Sequence, residues 1–182
     1  MTSLENVWTK AEVTDYISSV MQEVTNFSNS IEKSAYFAPF GDKWSMAENL
    51  EHLIYSNGAL AKVLGSSKEK LQAKFGKPTR ASIPGPKLKE TYFSALSKGT
   101  VKAKPPYIPQ DTATKTREAL LQMWSGIEEQ IKQSLDNWTE EDLDQHQIPH
   151  PLVGFITLRE FLLFTGFHTV HHLNAMKRIL EA

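Results

Sequence analysis

Thr157–Leu180 reads TLREFLLFTGFHTVHHLNAMKRIL, and this stretch carries both the architecture and the chemistry of the chain. Its opening Thr157-x-x-Glu160 is a capping box, in which a hydroxyl and a carboxylate satisfy backbone N–H groups that a helix leaves unpaired in its first turn. Leu158, Phe161, Leu162, Met176, Ile179 and Leu180 then recur at helical spacing and mark one apolar face. His168, His171 and His172 stand in the same helix. Residues four apart project about 40° from each other and one turn along, so two imidazoles at that spacing can share a metal ion. His168 with His172 meets this condition, and His168 with His171 nearly does.

The helical wheel separates the two pairs. With the apolar face centred on Leu158 and Met176, His172 falls about 40° away, His168 about 80° and His171 about 140°. His168 and His172 therefore look inward, on the side of Phe161, Thr165 and Ile179. His171 is expected on the solvent side with Glu160, Asn174 and Arg178. An inward pair of this kind supports two readings equally: a metal site, or core histidines hydrogen-bonded to neighbours. The second reading must find extra partners, because two neutral rings cannot satisfy all of each other's buried nitrogens.

Three more long helices are expected upstream. The first opens at Thr9-x-x-Glu12 and carries Val13, Ile17, Val20, Met21, Val24 and Phe27. The second opens at Ser45-x-x-Glu48, carries Met46, Leu50, Leu53, Ile54, Leu60, Ala61 and Leu64, and stops at Gly65. The third starts near Asp111 and aligns Leu120, Met123, Trp124, Ile127, Ile131 and Leu135. No run alternates with period two for long enough to make a sheet. The fold class is all-α, a four-helix bundle. A length of 182 residues suits one domain, 1–182, with a full core.

The two inward histidines need a third ligand from another element. His52 lies on the second helix about 90° from its apolar centre, on a flank with Tyr55, Ala59 and Val63. His146 and His150 compete from DLDQHQIPHP, where the prolines suggest a loop. Periodicity leaves all three open.

Composition narrows the chemistry. Cysteine is absent, so disulfides and thiolate metal sites are excluded and any metal must use imidazole, carboxylate or water. A net charge of −1 speaks against nucleic acid as a partner. The first twenty residues are charged throughout and no run approaches the roughly 20 apolar residues of a membrane span, so neither a secretory signal nor a membrane partner is expected and the expected address is cytoplasmic.

The connection between the second and third helices is long. Gly65–Gln110 holds six of the nine prolines, with Lys68–Phe75 and Leu88–Leu96 suited to short helices. Such a crossover lets the helices it joins run parallel. Lys62–Lys104 carries ten lysines and one arginine against Glu69 and Glu90, a local excess of nine positive charges. Charge runs are usually solvated, here facing the acidic stretch Glu118–Asp144; a rim that attracts an anionic ligand is the sharper alternative.

Two stretches, WSMAENLEHL (Trp44–Leu53) and HPLVGFITLREFLLFTGFHTVHHLNAMKRI (His150–Ile179), resemble the DinB-like superfamily, which includes metal-dependent thiol-S-transferases such as bacillithiol transferases. The resemblance implies a metal triad at His52, His168 and His172 and a homodimer, and gives His150 of the His-Pro element a structural turn. It also implies an enzyme, a metal-dependent transferase or hydrolase acting on a small-molecule substrate. Three neutral imidazoles leave a divalent ion, Zn or Ni, with an open position to activate water or a low-molecular-weight thiol. Glu48 and Tyr55, one turn either side of His52, are candidate catalytic or supporting groups. Lys87 and Lys89 are candidates for binding an anionic thiol cofactor. The rival expectation is a non-catalytic metal-binding or dimerising bundle.

Overall fold

The computed structural model describes residues 7–97 and 102–181. In chain order these form α1 (Lys10–Ser30), α2 (Lys33–Phe37), α3 (Met46–Leu64), α4 (Lys68–Phe75), α5 (Gly85–Ser97), a single 3-10 turn (Thr112–Thr114), α6 (Arg117–Leu135), α7 (Glu140–Gln145), β1 (Gln147–His150), β2 (Gly154–Thr157) and α8 (Leu158–Leu180). The capping boxes at Thr9, Ser45 and Thr157 each close with both reciprocal bonds, and they set the starts of α1, α3 and α8. The third long helix begins later than its periodicity suggests. Asp111 takes a left-handed conformation (φ 55°) ahead of the 3-10 turn, and the Thr116 hydroxyl caps α6 by accepting from Ala119 N–H.

The four long helices pack as a ring, α3 against α6 and α8, and α1 against α8 and α6. Polar contacts at both ends give the directions. Lys115, just before α6, meets Glu51 near the start of α3, and Trp138, just after α6, donates its indole N–H to the Leu64 carbonyl at the end of α3. α3 and α6 are therefore parallel, as the long crossover allows. Arg159 reaches the Trp8 carbonyl and Lys177 pairs with Glu23, so α1 and α8 are parallel as well. α3 and α8 run antiparallel, with Asn49 opposite His172 and Asn57 opposite Thr169. Gly166 makes the α1–α8 approach possible, because a Cβ there would lie 2.4 Å from the Tyr16 ring.

Leu50, Leu53, Leu60, Leu120, Trp124, Leu162 and Met176 fill the centre. Two residues assigned to apolar faces lie outside it: Met123 is 41% exposed and Leu180 52% exposed. Larger corrections come from the elements between the long helices. The segment read as a proline loop is instead α7 followed by an antiparallel hairpin, pairing Gln147 with Thr157 through to His150 with Gly154. Gly154, at φ 74°, supplies the turn. This hairpin and the crossover pack over the start of α8, so Leu158 to Phe167 are buried on every side. Glu160, expected in solvent, is fully buried and held by Arg80 (2.5 and 2.8 Å) and by the backbone N–H of Ile83 (2.8 Å). α4 and α5 form where composition suggested, and Lys68 pairs with Asp142 of the acidic stretch at 2.5 Å. No helix among the described residues is long and apolar enough to cross a membrane.

Candidate metal centre

The antiparallel packing of α3 on α8 brings His52 between His168 and His172. Ring centroids lie 5.1 Å (His52–His168), 4.5 Å (His52–His172) and 4.7 Å (His168–His172) apart. One nitrogen from each ring lies within 4.8 Å of the others. His52 Nε2 and His168 Nε2 are 3.2 Å apart, close to the roughly 3.3 Å between two nitrogens sharing one tetrahedral zinc with bonds near 2.0–2.1 Å.

The outer nitrogens decide which atoms face inward. His52 Nδ1 is 2.7 Å from the Tyr107 carbonyl, which can only accept, so Nδ1 carries the proton and Nε2 a lone pair. His172 Nδ1 is 2.8 Å from Asn49 Oδ1. The Asn49 amide is itself oriented by donating to Ser45 O (2.8 Å) and Trp44 O (3.3 Å), so its oxygen faces His172 and that ring also turns its Nε2 lone pair inward. His168 Nδ1 is buried without a partner among the described residues. Burial pushes the pKa of His168 and His172 well below the ordinary histidine value, and the neighbouring rings push the same way. Burial also lowers His52, against the opposing pull of the Tyr107 carbonyl. Neutral rings, anchored Nδ1–H groups and converging Nε2 atoms fit a divalent ion, as in sites where a hydrogen bond from the far nitrogen fixes the ligand's tautomer.

Aromatic rings surround the cluster. Trp44 lies 4.9 Å from His52, Phe164 stacks 5.6 Å from His168, and Tyr92 of α5 meets His168 edge-on at 6.4 Å. His171 departs from the wheel's expectation: it is half-buried, edge-on to His172 and 6.1 Å from Phe93, because α5 covers a flank that α8 alone would leave wet. The competing histidines sit elsewhere. His146 is buried beside Trp138, with its Nδ1 2.9 Å from the Asp142 carbonyl. His150 lies at the end of β1 with its ring 4.2 Å from Phe164, and burial lowers its pKa to about 4.

A family model of the DinB superfamily matches residues 29–176. The chain belongs to the DinB superfamily. Among solved structures it is similar to TT2238, described as a four-helix bundle protein, at TM-score 0.58 and 15% identity, covering 93% of this chain and 98% of that one. It is also similar to YfiT from Bacillus subtilis, described as a probable metal-dependent hydrolase with an unusual four-helix bundle topology. There the TM-score is 0.59 and the identity 18%, covering 94% of this chain and 87% of that one. No curated protein matches it.

In this DinB-superfamily chain the remaining candidates have other contacts. Glu48 accepts from Ser45 N–H (2.7 Å) and Ser45 Oγ (2.8 Å), closing the cap of α3. Tyr55 donates to Glu51, and burial with that carboxylate pushes its phenol up to about 12. Lys87 pairs with Glu90 at 2.9 Å on the surface, and Lys89 lies 5.9 Å from the Phe167 ring. The groups that orient the histidines were missed in the sequence. Asn49 left a readable trace, an amide three residues before His52 on the same helix face. The Tyr107 carbonyl left none, since every residue has one.

Proposed function

We propose that this protein is a metal-dependent enzyme, a transferase or hydrolase that uses the His52–His168–His172 centre to activate a thiol or water for attack on an electrophilic small molecule. The observation that carries the reading is the convergence of three neutral imidazoles, two of them, His52 and His172, anchored at Nδ1. No fourth His, Asp or Glu joins the cluster among the described residues, which favours an open, reactive site over a closed structural one. The description of YfiT as a probable metal-dependent hydrolase supports the same class.

A divalent ion held there, with zinc or nickel best suited to imidazole, would supply Lewis acidity that lowers the pKa of a bound water or thiol. The chain supplies the rest. His52 and His172 present fixed lone pairs because Tyr107 and Asn49 hold their far nitrogens. Trp44, Phe164 and Tyr92 exclude bulk water from the cluster, which strengthens electrostatic interactions within it. A thiol donor carrying carboxylates would approach across the basic crossover, where Lys87 and Lys89 are the proposed attracting charges.

Metal analysis of protein purified without a histidine tag, paired with a screen of thiol donors and electrophiles, tests this reading. We expect about one equivalent of a divalent metal, an exchangeable water or thiol on it, and turnover that is lost with chelator. Metal bound tightly with no exchangeable position and no turnover would favour the non-catalytic alternative, and no metal at all would refute the enzyme reading and leave only the dimerising bundle.

A further inference from the structure

We infer that Glu51 is a positioning residue: by gripping the end of the crossover it fixes the ring of its neighbour His52. The inference rests on reading the three histidines as a metal centre. Glu51 is fully buried on α3, and its carboxylate accepts from Lys115 Nζ (2.8 Å), the Gln110 N–H (3.4 Å), the Thr112 hydroxyl and the Tyr55 hydroxyl. Three of these donors belong to residues 110–115, the last stretch before α6. Lys115 Nζ also donates to the Gln110 carbonyl at 2.6 Å, which closes the stretch on itself. One carboxylate thus gathers that stretch against α3.

Three residues upstream of Gln110, the Tyr107 carbonyl accepts from His52 Nδ1 at 2.7 Å. His52 is only 7% exposed, so without this acceptor its Nδ1–H would be buried and unpaired. A ring turned over would then present Cε1 instead of Nε2 to His168 and His172. Bundle packing by itself does not call for a charge here. A buried ion pair often stabilises no better than apolar residues of similar volume, and in some proteins its role is to select one geometry. That geometry is what His52 needs. Asn49 holds His172 by direct contact, while Glu51 holds His52 at one remove, through the backbone it seats.

The test uses full-length protein in two measurements. Long-range ¹H–¹⁵N spectra of the imidazoles in metal-free protein report the His52 tautomer, and calorimetric titration with zinc reports affinity. The variants are Glu51→Gln, which keeps the shape but removes the charge, and Lys115→Met, a milder cut at the rim. Arg80→Met is the control, because it breaks a different clamp on the crossover, that with Glu160. The wild type should show a single Nδ1–H tautomer at His52. Glu51→Gln and Lys115→Met should show mixed tautomers and zinc affinity reduced about 10–100-fold. Arg80→Met should lower thermal stability yet leave both readouts unchanged. In a His52→Ala background, Glu51→Gln should cause no further loss. The inference is overturned if Glu51→Gln keeps the single tautomer, or weakens zinc no more than Arg80→Met does. If the wild type binds no zinc, the metal reading falls, and the tautomer measurement still decides the role of Glu51.

Discussion

The two halves of α8 differ in what surrounds them. From Leu158 to Phe167 the helix is buried on every side, and its charged residues are clamped: Glu160 by Arg80, and Arg159 by Asp144 and Glu140. From His168 onward one face stays in solvent, at Asn174 and Arg178, and the other carries two of the three clustered histidines. Buried charges in the first half have partners nearly all round, whereas His168 Nδ1 in the second half has none. Satisfied polar groups fix a fold, whereas a cluster whose ring nitrogens converge and whose His168 Nδ1 lacks a partner is poised for a ligand. The first half is accordingly read as an anchor and the second as a site.

That division makes a double dissociation the strongest way to break it. His168→Ala and His172→Ala should each abolish stoichiometric zinc binding in calorimetric titration, the largest effect expected from any single change here, while the metal-free protein still folds. Arg80→Met should do the reverse. It leaves the buried Glu160 carboxylate short of its cation, and because the Arg80 side chain is 42% exposed the cost, read from urea unfolding, should fall below the about 3 kcal/mol of a fully buried pair, with zinc affinity unchanged. If Arg80→Met removed zinc binding, or His168→Ala cost as much stability as Arg80→Met, the two halves would not be separate in role.

These same halves show where sequence was readable. The second half obeyed its wheel at His168 and His172, because the neighbour there is α3, another long amphipathic helix whose face periodicity reports. The first half did not. Glu160 falls on the solvent side of the wheel, since nothing in α8 itself records that Arg80 and Ile83 from a crossover 77–80 residues away cover it. His171 departs from its wheel position for the same reason, with Phe93 of α5 as the cover that α8 does not record. Capping boxes were legible because they are local, within four residues. The hairpin was not, because its strands are four residues long and β1 contains Pro149, which weakens any strand signal. The site's supporting groups divide likewise: Asn49 shares a helix face with His52, but Glu51 and Tyr107 act through a fold that brings distant backbone together.

Acid should act on the anchor by way of the hairpin. The His150 ring packs on Phe164 in the buried half, and burial holds its pKa at about 4. The unfolded ring takes up a proton near pH 6.5, while the folded one stays neutral until near its lowered value. Stability is therefore full above that upper pH and declines as pH falls between the two, by up to about 1.4 kcal/mol per pH unit for this group. His150→Leu should flatten part of the decline in unfolding midpoints measured from about pH 7.5 to about 4.5, with His52, His168, His171 and His172, which are shifted the same way, contributing to the remainder. An unchanged slope in the variant would mean that His150 is protonated as easily folded as unfolded.

The smallest structural effect is expected at the rim, and there it sharpens the functional question. Lys87 and Glu90 form an exposed pair, 64% and 69% accessible at their side chains, and such pairs contribute little to stability. Replacing both Lys87 and Lys89 by Glu should therefore change unfolding free energy by no more than about 0.5 kcal/mol. Zinc affinity should also hold, because neutral buried imidazoles set it and exposed charges are screened over about 8 Å at physiological ionic strength. What should change is the approach of an anionic thiol: a higher KM for the donor, and a KM that no longer climbs with salt as it does in the wild type. An uncharged thiol should show neither difference. If the anionic donor's KM were the same in the double variant and the wild type at low salt, the basic crossover would be an ordinary solvated surface with no part in selecting the donor.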